Sequence, residues 1–148
     1  LLSVVHSAPH TTHWQFEVKS DSRHRLSILT QKLYQFIIDN NLIDQVTVTS
    51  SNRYFLKQMS LLHPDIATGY VADLLVLDPV KTAKNLQCKM LAISVKLASE
   101  NNIIRAREAG LHVSCWTVND IEKMRELKDM GVDSIITDVP SLAIQIFP

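Results

Sequence analysis

Glu17 and Lys19 are the residues best placed to do chemistry in this chain. They lie in Trp14-Gln-Phe-Glu-Val-Lys19, where apolar and polar residues alternate strictly. As a strand, this segment puts Trp14, Phe16 and Val18 on one face and Gln15, Glu17 and Lys19 on the other. A carboxylate and an ammonium then point the same way. On an enclosed face the carboxylate needs a cation, because an unpaired buried charge is costly. Either Lys19 or a divalent ion can serve. A hard ion such as Mg²⁺ or Ca²⁺ takes oxygen ligands and leaves Lys19 to meet a phosphate as a point charge. The competing reading is an amphipathic edge strand with both charges in solvent.

Trp116-Thr-Val-Asn119 is the second constellation. Trp116 stands near the C-terminal end of a strand, just before a helix start. In α/β proteins that end faces the ligand, where an indole can pack on a glycerol-like group; the alternative is a core Trp. Thr137-Asp138 ends the last strand in the same way, and Asp138 before Pro140 and Ser141 reads as a turn and cap. The histidines do not form a metal motif. His10-Thr-Thr-His13 precedes the Glu17 strand and is expected in a solvated loop at the far end from the site. His24, His63 and His112 share no spacing. The chain has no Gly-rich phosphate loop, serine elbow or paired-cysteine motif. Cys88 and Cys115 lie in apolar surroundings and read as buried thiols rather than a disulfide framework.

The elements that must position these groups alternate strand and helix. After the Trp14 strand, Leu26, Leu29, Leu33, Phe36 and Ile37 recur at helical spacing. Val46–Ser50 is a strand by its β-branched content, and Asn52 caps the helix that follows, which ends at His63-Pro64. Strands are expected at Ile66–Val71 and Leu91–Val95. The Leu74-Leu-Val-Leu77 run between them fits either strand or buried helix. Ser99 caps a helix that ends at Gly110. A strand follows at Val113–Val118, then a helix whose cap is expected at Asn119, in Asn119-Asp-Ile-Glu122. The last strand is Ser134–Thr137. Strand spacing suits parallel β/α units. A closed eight-stranded barrel takes about 250 residues, so 148 residues imply either an open doubly wound sheet or a barrel lacking its first strands.

Fifteen basic and fifteen acidic residues give zero net charge, which argues against a nucleic-acid binder driven by phosphate neutralisation. No polybasic run marks a membrane patch. The chain begins Leu1-Leu2 without Met, so a partial chain is expected. Its compartment is then either cytoplasmic or membrane-associated through a region outside it.

Three segments together resemble the glycerophosphodiester phosphodiesterases. Phe16-Glu-Val-Lys19 is similar to that family's Glu-x-Lys strand. Val46–Ser50, His63-Pro64-Asp65 and Gly69-Tyr70-Val71 are similar to its Ser-Phe strand, Pro-Asp turn and Gly-Tyr strand. Trp116-Thr-Val-Asn119 with Gly131-Val-Asp133 and Ile135-Ile-Thr-Asp138 is similar to its closing signature. The fold this implies is α/β, the C-terminal portion of a TIM-type (β/α)8 barrel of the phospholipase C-like phosphodiesterase kind. A single partial domain over residues 1–148 would lack the N-terminal strands. The implied reaction is metal-dependent hydrolysis of a glycerophosphodiester to glycerol 3-phosphate and an alcohol. Glu17 would be a ligand of the divalent metal, Mg²⁺ or Ca²⁺. Lys19 would contact the phosphate, and Trp116 would line the glycerol side.

Two departures matter. The family's His-Arg-Gly strand, Glu-x-Asp pair and acid–base histidines do not occur here, so little hydrolysis is expected of this chain alone. Ser51 and Ser134 replace the usual Phe and Gly. The alternative is a non-catalytic half-barrel that pairs, through its open sheet edge, with a missing N-terminal half or with itself. Such a half-barrel is expected to leave an apolar interior uncovered, with marginal stability or aggregation.

Overall fold

The computed structural model describes residues 7, 9, 12–19, 21–73 and 78–147. His10 and the Leu74-Leu-Val-Leu77 run lie outside them. The described elements run β1 (Trp14–Glu17), α1 (Arg23–Asp39), β2 (Val46–Ser50), α2 (Arg53–Leu62), β3 (Ala67–Ala72) and α3 (Pro79–Asn85). They continue with β4 (Met90–Ser94), α4 (Glu100–Glu108), β5 (His112–Trp116), α5 (Ile121–Asp129), β6 (Ser134–Ile135) and α6 (Pro140–Ala143).

Helix starts follow side-chain chemistry. Ser22, Asn52, Asp78, Ser99 and Asp120 each accept a hydrogen bond from a first-turn amide. Asp78 does so for Lys81 and also meets Arg105 at 2.6 Å; these contacts, in that order, hold its carboxyl below the usual range. Gly110 and Gly131 end α4 and α5 at φ 73° and 89°, where a side chain would be strained.

The six strands pair in sequence order, all parallel. A doubly wound sheet reverses its strand order partway; this one never does, so the doubly wound option is excluded. The sheet curls into the arc of a TIM-type barrel, with β1 and β6 as its margins. Its convex face carries the core. Val48, Leu91, Ile93, Val113 and Cys115 point outward and meet Phe55, Leu56, Met59, Ile103, Met124 and Leu127 from the helices. All of these are fully buried, each contributing roughly 1.5–3 kcal/mol for a large side chain. Burial also pushes both thiols up, Cys88 and Cys115 alike to about 11. No described helix is long and apolar enough to cross a membrane.

Candidate functional site

The concave face is made of the other half of each strand. Glu17 stands opposite Thr49, Thr49 opposite Gly69, Gly69 opposite Met90, and Met90 opposite His112. One row further on, Val71, Ala92, Ser114 and Ser134 are in register. Most of these residues are polar or small. Val71, Met90 and Ala92 keep part of this face apolar. Gly69 shows why size matters here: a Cβ on it would sit 3.0 Å from Thr49 Cγ2 and 3.1 Å from Met90 Cβ.

Small floor residues leave a cavity of about 590 Å³. His13, Gln15, Glu17 and Lys19 form one wall. Thr49, Val71 and Ala92 form the floor. Trp116, Thr117 and Ile136 form the far wall. The fold thus brings Glu17 and Lys19 together with Trp116, from near opposite ends of the chain. Lys19 Nζ lies 2.5 Å from Glu17 Oε1, with the lysine side chain 80% and the glutamate 40% exposed. The end of β1 is pinned from beneath: the buried Ser50 hydroxyl donates to the Val18 carbonyl at 2.6 Å and accepts from the Asn52 amide. Val18 lies between Glu17 and Lys19, so this bond fixes the backbone that presents both.

Trp116 is half-buried rather than a core residue, and its indole Nε1–H donates to the Ala92 carbonyl at 3.1 Å. The peptide joining it to Thr117 is cis. Asn119 does not cap α5 as expected; Asp120 does. The reason is that the Asn119 side chain is already engaged. Its Oδ1 accepts from Thr137 Oγ1 and the Asp138 amide, both at 2.9 Å, and its Nδ2 donates to Asp138 Oδ2 at 2.8 Å. The last two loops are clamped together beside Trp116; Asp138 takes part in that clamp but caps no helix, since Val139 holds the N-cap of α6.

His13 lies nearer the site than expected. It faces the cavity and shares a 2.9 Å hydrogen bond with Thr47 Oγ1. It is an exposed loop residue, as expected, and its place in the cavity lining is what sequence reasoning missed. The signal was present, since His13, Gln15, Glu17 and Lys19 continue one two-residue alternation. Beyond His13 a second hollow of about 450 Å³ opens, lined also by Lys89 and by His112, which bonds Ser134 Oγ at 2.8 Å. Ser134 thus has a partner that the family's usual Gly could not supply. Ser51 is exposed and stands outside the cavity lining.

The described residues do not by themselves fit a divalent ion. Glu17 is the one carboxylate among the lining residues and it is already paired. Among the described residues no three His, Cys, Asp or Glu side chains converge.

Comparison with known proteins bears on the fold and the family. The chain is 25% identical over 118 residues to a glycerophosphodiester phosphodiesterase of Caldanaerobacter subterraneus, covering 80% of this chain and 49% of the relative. It is 30% identical over 84 residues to one from Arabidopsis thaliana, covering 53% of this chain and 25% of that one. The crystal structure of a glycerophosphodiester phosphodiesterase from Parabacteroides distasonis superposes with a TM-score of 0.81 at 26% identity, over 91% of this chain and 57% of the other. The chain spans half the length, or less, of the curated relatives it matches. Residues 8–142, the β1 wall and the Trp116 wall together, match the model of the glycerophosphoryl diester phosphodiesterase family, and the chain belongs to that family.

Proposed function

We propose that the concave cavity binds the glycerol phosphate portion of a glycerophosphodiester, the substrate class of the hydrolysis that gives glycerol 3-phosphate and an alcohol. The observation that carries this is the placement of Lys19 and Trp116 on facing walls of one cavity. The Lys19 ammonium is exposed and a point charge suited to phosphate. The Trp116 indole is held at its ring nitrogen and offers its flat surface to the glycerol carbons. Glu17 orients Lys19 and is the side chain from which a metal shell would have to be built. Mg²⁺ or Ca²⁺ is the ion its oxygens suit, with the other ligands coming from outside the described residues.

This chain's own contribution is binding and orientation. Among the described lining residues the sole imidazole is His13, which is committed to Thr47. Bound substrate is therefore expected to turn over little on this chain alone. The test is an NMR titration with sn-glycerol 3-phosphate, watching the two indole N–H signals. Trp116 should shift saturably. Trp14, whose side chain packs on the convex core, should not. The substitution Lys19→Ala should abolish the shift. Equal movement of both indoles, or an unchanged titration in Lys19→Ala, would sink the reading.

A further inference from the structure

The hollow beyond His13 differs from the main cavity in its charges. His13, Gln15, Thr47, Lys89, His112 and Ser134 give it its polar lining. No carboxylate is among the described residues that line it, whereas the main cavity has Glu17. The two hollows share His13 and Gln15, but their ammonium groups stand at opposite ends of the strands. Lys19 follows the end of β1, and Lys89 precedes the start of β4. His13 itself comes four residues before Glu17, roughly 13 Å of extended chain. An ion held by Lys89 therefore leaves the Lys19 end of the cavity open.

A count of donor hydrogens shows what this hollow can hold. Each imidazole is tied to a hydroxyl, His13 Nε2 to Thr47 Oγ1 at 2.9 Å and His112 Nε2 to Ser134 Oγ at 2.8 Å. A neutral imidazole and a hydroxyl bring two donor hydrogens to such a pair, and their mutual bond uses one. If the hydroxyl donates to Nε2, the ring keeps its Nδ1–H. If Nε2–H donates, the hydroxyl keeps its own hydrogen. One donor is left at each pair, whichever tautomer is present. Gln15 adds its amide N–H groups and Lys89 an ammonium. The Lys89 backbone is fixed on both sides: its amide donates to the Thr68 carbonyl at 2.8 Å, and its carbonyl accepts from the His112 amide at 3.0 Å. Its ammonium takes part in no ion pair among the described residues. The nearby carboxylates are engaged elsewhere. Asp133, next to Ser134, accepts from the Val113 amide at 2.7 Å. Asp65, in an outer groove that Lys89 also borders with Lys84, accepts from the Tyr34 hydroxyl at 3.5 Å.

We propose that this hollow is a second binding site, for a small tetrahedral oxyanion of the phosphate class. The Lys89 ammonium supplies the charge, and the donors left over at His13–Thr47 and His112–Ser134 supply the hydrogen bonds. Such an anion presents only acceptors when fully ionised, which matches a lining with spare donors and no carboxylate. A metal cation is the poorer match, because Lys89 repels it and no carboxylate is there to offset its charge. The proposal rests on the Lys89 hollow alone and not on what the Lys19 end of the cavity binds, so the two stand or fall separately.

The test is an NMR titration of the whole chain with inorganic phosphate, watching the ring Cε1–H signals of His13 and His112, with chloride at matched ionic strength as the blank. Both signals should shift saturably with phosphate and not with chloride. Lys89→Met keeps the aliphatic stem and should weaken binding by about tenfold, the worth of one charge-assisted hydrogen bond. Its melting midpoint should match that of the unsubstituted chain. Lys19→Ala should leave the His112 response within about twofold, as expected of a distant, independent site, while the Trp116 indole no longer moves. A phosphate response of His112 that Lys89→Met leaves intact overturns the proposal. So does one that Lys19→Ala removes, which would put the anion at the upper end of the cavity. Equal shifts with chloride, or a response to zinc ion with none to phosphate, also overturn it. sn-Glycerol 3-phosphate carries the same dianion. If it moves His112 in Lys19→Ala, the hollow takes phosphomonoesters; if inorganic phosphate alone does so, it takes the free anion, and either result upholds the site. The titration of the unsubstituted chain does not depend on any variant folding.

Discussion

The central residues of the sheet are buried on both faces, but the two faces are built from opposite chemistry. On the convex face Val48, Leu91, Ile93 and Val113 are fully buried, and on the concave face Thr47, Thr49, Ala92 and Ser114 are at most 5% exposed. At these central positions burial does not separate the two faces. Side-chain volume does. Convex residues act by filling the space between sheet and helices. Concave residues act by leaving space unfilled, and the 590 Å³ cavity is the result. The concave face can then change its polar groups at little cost to the fold, while the convex face cannot lose volume.

The sharpest way to break this contrast is to remove volume from the convex face. Leu91→Ala should lower stability by about 2–5 kcal/mol, the range for a buried leucine that leaves a cavity, read as a fall in the urea midpoint. A loss below 1 kcal/mol would mean that the helices collapse onto the sheet and that its convex packing is soft.

Alkaline pH attacks the same layer by charge. Cys88 and Cys115 are held neutral by burial, each with its thiol pushed up to about 11. An unfolded thiol ionises near pH 8.5. The stability this gives is therefore fully present below the unfolded value and is lost as pH rises through about 11. Between the two, each thiol should cost about 1.4 kcal/mol per pH unit. The double variant Cys88→Ala with Cys115→Ala should have a flatter stability profile from pH 9 to 11. An unchanged slope would assign alkaline unfolding to other groups.

What the sequence made legible divides along the same line. The convex face announces itself, because period-2 and helical apolar patterns are set by local geometry, and they located the six strands. The partial-barrel option was legible too, from strand spacing against length. Choosing it over a doubly wound sheet required the pairing order, a long-range property that no local pattern encodes. The concave face was legible only in part. Glu17, Lys19 and Trp116 stood out by chemistry and position. Their assembly across one cavity depends on sheet curl. Small residues such as Gly69 and Ala92 carry no sequence signal for a void. The Asn119 cap was misplaced because a capping motif is local while its actual partners, Thr137 and Asp138, are distant in sequence.

That clamp supplies a middle-sized test, since it belongs to the site wall but not to the core. Asn119→Ala removes three hydrogen bonds from an exposed side chain. A loss of about 1–2 kcal/mol is expected, given the usual net worth of such bonds. In the NMR titration the Trp116 indole signal should move or broaden in this variant while the Trp14 signal stays fixed. If both indoles move together, the two faces are coupled and the contrast drawn above fails.

The smallest expected effect on stability falls at the residue with the largest proposed role in binding. Lys19 and Glu17 form a 2.5 Å ion pair, but with side chains 80% and 40% exposed it is solvated and screened. Such pairs contribute about 0–1 kcal/mol. Lys19→Met keeps the aliphatic stem and removes the charge, so its melting curve should nearly overlay that of the unsubstituted chain. Its affinity for sn-glycerol 3-phosphate should nonetheless fall at least tenfold, because the phosphate loses the only cationic side chain in the cavity lining among the described residues. These two readouts separate the faces. A large stability loss with affinity retained would make Lys19 a structural residue of β1 and move the binding reading elsewhere. Affinity lost with stability intact is the signature of a residue that the fold positions but does not need.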